Sequence, residues 1–435
     1  MRKAIFLSIV ITLLLSSCFI FELFTETNEE ESNYELNIAW QTKTYYQRSW
    51  SYPIISDGFA YYVEEVLKNN SDYCRLIKIN LDTGELIWRT KDVNVQYTDQ
   101  IQKIGDYIYC SLCDREIILV FNDNDGTLAA TVSLKDDVTS SKVGPYFKHT
   151  AVYNNYIFWG NVNSPKWEYQ GLMRFDTNLI NFSVDPNEKQ NIKPELVWQT
   201  TQQNAIWTNI LVNNGVVYFL TPRHDFDAGT GTVKISYLIA MDAETKEIIW
   251  QRERDFGWGD RENSLLINSD RLYVIDRNIS CYNINTGEPY YEKNDKEYID
   301  AGSDLKGLFF YNNKIYYTTQ KTKATSTSPG VDPNRVKNVI CIDADTGNLV
   351  WGDFIKTIYN IFTFPLVDNG KAYVVTYEGL YIYNAETGKL LGVNKTIKNR
   401  SNNHNLLYNN MVIFPNRIGD NANPPYSMLT AIRTN

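Results

Sequence analysis

Asn80-Leu-Asp-Thr-Gly84-Glu-Leu-Ile-Trp88 is a phrase that the chain writes five times. It returns as Asp242-Ala-Glu-Thr-Lys246-Glu-Ile-Ile-Trp250, Asn283-Ile-Asn-Thr-Gly287-Glu-Pro-Tyr-Tyr291, Asp343-Ala-Asp-Thr-Gly347-Asn-Leu-Val-Trp351 and Asn384-Ala-Glu-Thr-Gly388-Lys-Leu-Leu-Gly392. Each copy follows an alternating apolar stretch such as Leu380-Tyr-Ile-Tyr383 and leads into a second one, most of which end in Trp. The glycine supplies the positive φ of a tight turn, so each copy reads as a β-hairpin.

Upstream of each sits another hairpin, with Asp/Asn-Asn-Gly between an apolar and an aromatic-rich strand, as in Pro365-Leu-Val-Asp-Asn-Gly370-Lys-Ala-Tyr-Val-Val375. Two hairpins make a four-stranded unit. The first hairpins turn near Gly58, Asp106, Asn155, Gly215, Asp270, Asn313, Gly370 and Asn410, which predicts eight units. The second and third copies are degenerate, with Asn122-Asp-Asn-Asp-Gly126 and Asp176-Thr-Asn178 in the turn. The eighth stops at Asn435 after its third strand, and Leu36-Asn-Ile-Ala-Trp40 has the pattern of the missing fourth. The 400 residues from Leu36 to Asn435 give units of 50, the size of a propeller blade. The expected fold is all-β, an eight-bladed β-propeller of four-stranded antiparallel blades closed by its N-terminal strand, which leaves no open ring.

The recurring pattern resembles the pyrroloquinoline-quinone-like propeller repeat, Ala-x-Asp-x-x-x-Gly-x-x-x-Trp. Ala240-Met-Asp242 through Trp250 and Cys341-Ile-Asp343 through Trp351 are its clearest copies. The resemblance extends over nearly everything after residue 35. It implies the fold and leaves function open, because one scaffold hosts many activities.

The N-terminus reads as an export signal with a lipid attachment site. Arg2 and Lys3 precede the apolar run Ala4 to Leu15, and Leu15-Ser-Ser-Cys18 has the form of a lipobox. Twelve apolar residues are too few to span a bilayer, which needs about 20. The expected organisation is a signal peptide over 1–17, a lipidated Cys18 with an acidic tether over 18–35, and the propeller over 36–435. Acyl chains on Cys18 would anchor the protein to the cell envelope, with Phe19 favouring the outer membrane where two membranes exist.

Without residues 1–17 the chain has 40 basic against 51 acidic residues. That balance argues against nucleic acid, whose recognition depends on clustered Lys and Arg. Cys281 and Cys341 stand where Ala240 and Ala431 stand in other repeats, so they read as small core residues. Cys110 and Cys113 form either a local disulfide or a pair of thiols, and Cys74 has no evident partner.

Quinoprotein dehydrogenases share this repeat, and the resemblance implies that they grip the quinone with a disulfide between adjacent cysteines, a tryptophan floor and a calcium ion. No two cysteines are adjacent in this sequence, and Asp114 stands where a haem attachment motif needs His. Phosphate-loop, nucleophile-elbow and zinc-protease motifs are missing too. No catalytic, cofactor or metal residue is therefore assigned, and no enzyme activity is expected.

Alternation of the strands sends the first and third turns of every blade to one face and the remaining connections to the other. The long connections 161–170, 221–236, 320–338 and 415–427 all fall on the second face, which marks it as the binding face. At the start of the innermost strands there, the repeats place Trp50, Lys148, Trp207, Lys306, Phe362 and Asn403 as candidate binding residues. Trp40, Trp88, Trp198, Trp250 and Trp351 recur on the fourth strand and are expected to pack between blades. The lipobox, eight copies and closing strand resemble the BamB-type lipoproteins of outer-membrane protein assembly. The resemblance implies a membrane-anchored scaffold with a protein partner. A glycan- or small-molecule-binding propeller is the alternative, and a quinone-dependent dehydrogenase the last reading.

Overall fold

The computed structural model describes residues 34–45, 53–68, 71–94, 101–112, 117–134, 150–161, 171–199, 209–223, 235–254, 264–275, 279–293, 305–319, 337–355, 363–398, 405–418 and 426–435. They form eight antiparallel sheets in a ring. Blade 1 comprises Ile54–Ser56, Phe59–Lys68, Ser71–Asn80 and Leu86–Arg89, and blade 2 Ile101–Ile104, Tyr107–Leu112, Ile117–Asn122 and Leu128–Ser133. Blade 3 comprises Thr150–Tyr153, Tyr156–Asn161, Gly171–Asp176 and Glu195–Gln199; blade 4, Leu211–Asn213, Val216–Arg223, Ile235–Asp242 and Ile248–Arg254. Blade 5 is Leu265–Asn268, Arg271–Ile275, Ile279–Asn283 and Pro289–Lys293, and blade 6 is Leu305–Tyr311, Lys314–Thr319, Val339–Asp343 and Leu349–Asp353. Blade 7 is Leu366–Asp368, Lys371–Val375, Leu380–Asn384 and Leu390–Asn394. Blade 8 takes Leu406–Tyr408, Met411–Ile418 and Tyr426–Arg433 from the C-terminus and its fourth strand, Ile38–Tyr45, from the N-terminus, paired from Ile38↔Ile432 to Tyr45↔Tyr426.

The repeated phrase closes by its own hydrogen bonds. The Asn80 carboxamide oxygen accepts from the amides of Asp82 (2.9 Å) and Thr83 (3.0 Å), the Asn80 carbonyl accepts from Gly84 N (2.9 Å), and Thr83 Oγ1 accepts from Glu85 N (3.2 Å). This explains the spelling: an Asx side chain to cap the turn, Thr to brace its exit, Gly for the left-handed residue. The amide after the Asx then ties the two hairpins together. Leu81 N donates to Gly58 O, Ala344 N to Asn313 O and Thr434 N to Asn410 O, and the same bond recurs in every blade at 2.8 to 2.9 Å. Thr434 keeps it where the third turn has been replaced by the chain end.

All eight fourth strands carry a register shift just before the Trp position, for example between Ile79↔Leu86 and Lys78↔Trp88. Such a bulge bends the outer strand and spoils it as a template for edge-to-edge aggregation. It also turns the bulged residue outward. Ile87 is 40% exposed, Ile249 48%, Tyr290 46%, Val350 41% and Leu391 36%. The core lies between blades, where inward faces of neighbouring sheets interdigitate, as Tyr316, Cys341 and Trp351 do with Val374 and Tyr383.

Two expectations about connections need correction. The third turn of blade 3 is long: after a short 3₁₀ turn, Thr177–Leu179, the chain runs on to Glu195 and lays Lys189–Asn191 parallel against the outer strand of blade 2. One long connection therefore lies on the face expected to carry short turns only. Asp176 caps the 3₁₀ turn in place of the usual Asx-x-x-Thr-Gly, which is why the turn does not close. The connections 221–236 and 415–427 are also shorter than expected, because Val216–Arg223 pairs with Ile235–Asp242 as far as Arg223↔Ile235, and Met411–Ile418 with Tyr426–Arg433 as far as Ile418↔Tyr426.

Candidate functional site

Among the described residues the chemistry-bearing side chains gather at the joints between blades. At the regular joint an aromatic residue on one fourth strand lies over the turn glycine of the next blade and donates to the carbonyl beside it. Trp40 donates to Leu81 O (2.9 Å), Trp88 to Asp123 O (2.8 Å), Trp250 to Ile284 O (3.0 Å), Tyr291 to Ala344 O (3.1 Å) and Trp351 to Ala385 O (2.7 Å). A Cβ on the glycine beneath would stand 2.5 to 2.7 Å from the ring at each of these seats, inside van der Waals contact. The aromatic and the glycine are one device split across two blades.

Three joints depart from this. Blade 2 has Ala130 at the Trp position and blade 3 has no turn glycine, so the insertion fills the joint: Ile180 and Ile192 pack with Ala130 and Val132, and Phe182 stacks on Tyr107 at 4.3 Å. Blade 4 has Lys246 at the glycine position, with φ +67°. A side chain there leaves no room for an indole. Trp198 is only partly buried and meets Phe219 edge-on at 5.4 Å, while Arg174 donates to Ala243 O (2.8 Å) and to Glu195 (2.6 Å), and Lys246 pairs with Glu195. In blade 7 the Trp position is Gly392, and Tyr34 lies over it with its amide on Val393 O (3.1 Å). Tyr34 thus packs into the ring wall.

The ionic joint carries a pH dependence. Partial burial pushes the Glu195 carboxyl up, but hydrogen bonding and charge from Lys246 and Arg174 outweigh it and hold it below the ordinary glutamate range. A carboxyl depressed in the folded state stabilises above its unfolded value and stops doing so as the pH falls through the folded one. The denaturation midpoint should therefore fall as the pH drops through the ordinary glutamate range and below it, with a shallower slope in Glu195→Gln.

Other buried charges are paired across a joint or within a blade. Asp123 accepts from Tyr61 (2.6 Å) and Lys78 (2.8 Å) across the joint of blades 1 and 2, Lys78 lies 4.3 Å over the Phe59 ring, and Arg89 grips the fully buried Glu64 at 2.8 and 3.1 Å. Among the described residues no group of three or more His, Cys, Asp or Glu is placed to hold a metal ion.

Of the residues read from the repeat as binding candidates, Trp50, Lys148, Trp207, Phe362 and Asn403 lie outside the described residues, as does Cys18. Lys306 falls in the first strand of blade 6, beside a register shift between Leu305 and Leu308. The connections 161–170 and 320–338 lie almost wholly outside the described residues. Trp40, Trp88, Trp250 and Trp351 sit on the glycine seats, and Trp198 packs on the Phe219 ring. The sequence reading missed Arg174, Glu195 and Tyr34. The signal for the first two was Lys246 in a glycine position, and for the third Gly392 in a tryptophan position.

The disulfide between adjacent cysteines that the repeat implies for a quinone seat has no counterpart here, because no two cysteines are adjacent in the chain. Cys74, Cys110, Cys281 and Cys341 are buried on separate strands, and burial pushes the Cys281 and Cys341 thiols up to about 12. Such thiols are inert core groups.

No family model and no curated protein matches the chain. Solved structures do match. The quinohemoprotein alcohol dehydrogenase from Comamonas testosteroni is 12% identical with a TM-score of 0.61, over 94% of this chain and 78% of that one. BamB from Moraxella catarrhalis is 12% identical with a TM-score of 0.54, over 91% and 98%, and a europium-containing methanol dehydrogenase is 12% identical with a TM-score of 0.64, over 91% and 93%. At that identity the likeness concerns fold: the chain has the eight-bladed propeller architecture that quinoprotein dehydrogenases and BamB share.

Proposed function

We propose that the protein is a non-enzymatic, lipid-anchored propeller of the bacterial cell envelope that serves as a scaffold for a protein partner, as BamB-type lipoproteins do. Cys18 is its anchor, and the partner meets the face carrying the connections 161–170, 224–234, 320–338 and 419–425 together with the outer wall. The observation that carries this reading is the wall itself. Its bulges hold Ile87, Ile249, Tyr290, Val350 and Leu391 out to solvent in a chain of mean hydropathy -0.37, and apolar groups repeated in that way suit protein contact. The charges of Lys78, Asp123 and Arg174 support it too, since they fasten neighbouring blades to one another.

The test is chemical crosslinking of the full-length chain in its native envelope, followed by mass spectrometry. Recovery of a barrel-assembly component, with release of the protein to the soluble fraction in Cys18→Ala, is the expected result. Recovery of no protein partner, together with alcohol oxidation by the purified chain on adding quinone and calcium, would overturn it.

A further inference from the structure

The outer edge of a blade is already used twice by this chain as a seat for an extended segment. In blade 2, Lys189–Asn191 runs parallel to the fourth strand, with Thr131↔Lys189 and Ser133↔Asn191, and Ser133 O accepts from Ile192 N at 3.0 Å. In blade 7, Val393 O accepts from Tyr34 N at 3.1 Å. Counted from the turn Asx, Ser133 is eleven residues on and Val393 nine. Because every fourth strand has its bulge at the same place, those two positions turn their main-chain amide and carbonyl outward in each blade.

In blade 4 the same positions are Gln251 and Glu253, both exposed, on a strand that continues to Arg254. The fourth strands of blades 5 and 6 end at Lys293 and Asp353, short of the position of Glu253. Blade 8 reaches that far but places Lys43 there, a residue that protects edges. The fourth strand of blade 4 also begins with two exposed isoleucines, Ile248 (46%) and Ile249 (48%), flanked by the exposed carboxylates of Glu247 and Glu253.

We infer that the outer edge of blade 4, Ile248–Arg254, is a docking strand for an extended segment of a protein partner in which apolar and basic residues alternate. The segment adds a fifth strand to the blade. Its main chain bonds the outward groups of Gln251 and Glu253, an apolar side chain covers Ile249, and its basic residues face Glu247 and Glu253. The proposal rests on the protein-scaffold reading above and names one part of its contact surface.

The probe is a fluorescent ten-residue peptide of alternating isoleucine and lysine, titrated against the full chain in detergent and followed by anisotropy. A control of identical composition and charge is N-methylated at alternate residues, which removes the main-chain donors of one edge. Saturable binding is expected for the first peptide and at least tenfold weaker binding for the second. Gln251→Pro deletes an outward amide without touching the pairing to Ile235–Asp242, and Ile249→Asp deletes the apolar contact; each should weaken binding at least tenfold while leaving the melting transition in place. Equal binding of both peptides, or unchanged binding in both variants, would overturn the docking strand. If Gln251→Pro still crosslinks the envelope partner at full yield, this edge is excluded and the scaffold reading survives.

Discussion

Replacing Gly388 by alanine should destabilise the ring by about 3 kcal/mol or more, from a single methyl group on the surface of a turn. Two terms add. The residue sits at φ +70°, where a Cβ on an L residue costs roughly 1 to 2 kcal/mol. The methyl would also stand 2.5 Å from the Trp351 indole and push it off its seat, breaking the 2.7 Å bond to Ala385 O and opening the joint of blades 6 and 7. Trp351→Ala alone should cost about 3 to 5 kcal/mol, the usual range for a buried aromatic. The decisive measurement is the double variant. Once the indole is gone the methyl has nothing to displace, so chemical denaturation should show the two losses falling short of additive by at least about 1 kcal/mol. Strict additivity would mean that glycine is needed for the turn alone.

A chain beginning at residue 46 is expected to lose the ring. The missing segment supplies the fourth strand of blade 8, the Tyr34 ring over Gly392 and the Trp40 ring over Gly84, so it serves blades 7, 8 and 1 together. The Trp40 seat alone is worth about 3 to 5 kcal/mol, and a native protein has roughly 5 to 15 in reserve. Tyr426–Arg433 would be left as a bare edge of eight residues without the bulged strand that covers it. Size-exclusion chromatography should find the truncated chain in aggregates, and a synthetic peptide of residues 34–45 added during refolding should restore monomer. A truncated monomer melting like the intact chain would show that closure is not set by this strand.

What the sequence made readable follows from which physical demands repeat. The Asx, Thr, Gly and Trp of the phrase answer local requirements that recur in each blade, so blade count, turn positions and ring closure are legible from spacing alone. The insertion of blade 3 answers no repeated requirement. Its strand at Lys189–Asn191 is polar and three residues long, and nothing local distinguishes it from a loop; it exists because the edge of blade 2 was open. Tyr34 is hidden for a similar reason, since its place is set by Gly392, which is 358 residues away in sequence. The joints at Lys246 and Gly392 were legible as misspellings of the phrase, although which side chains compensate for them is a matter of packing. The candidate binding face stayed out of reach because its connections are what the repeats do not share.

A regular blade carries one half of two different locks: an aromatic that reaches forward and a glycine that receives from behind. A cut between the sequence repeats divides a lock, yet every regular repeat brings one of each half. Blades 5 and 6 have regular locks on both sides, through Trp250, Tyr291 and Trp351. With blade 1, which is held in the same way through Trp40 and Trp88, they are the interchangeable part of the ring, where a repeat can be duplicated or exchanged and still find its complement. Blade 3, held on one side by its insertion and on the other by Arg174 and Glu195, has no spare partner anywhere in the ring, and its place in the order is unique.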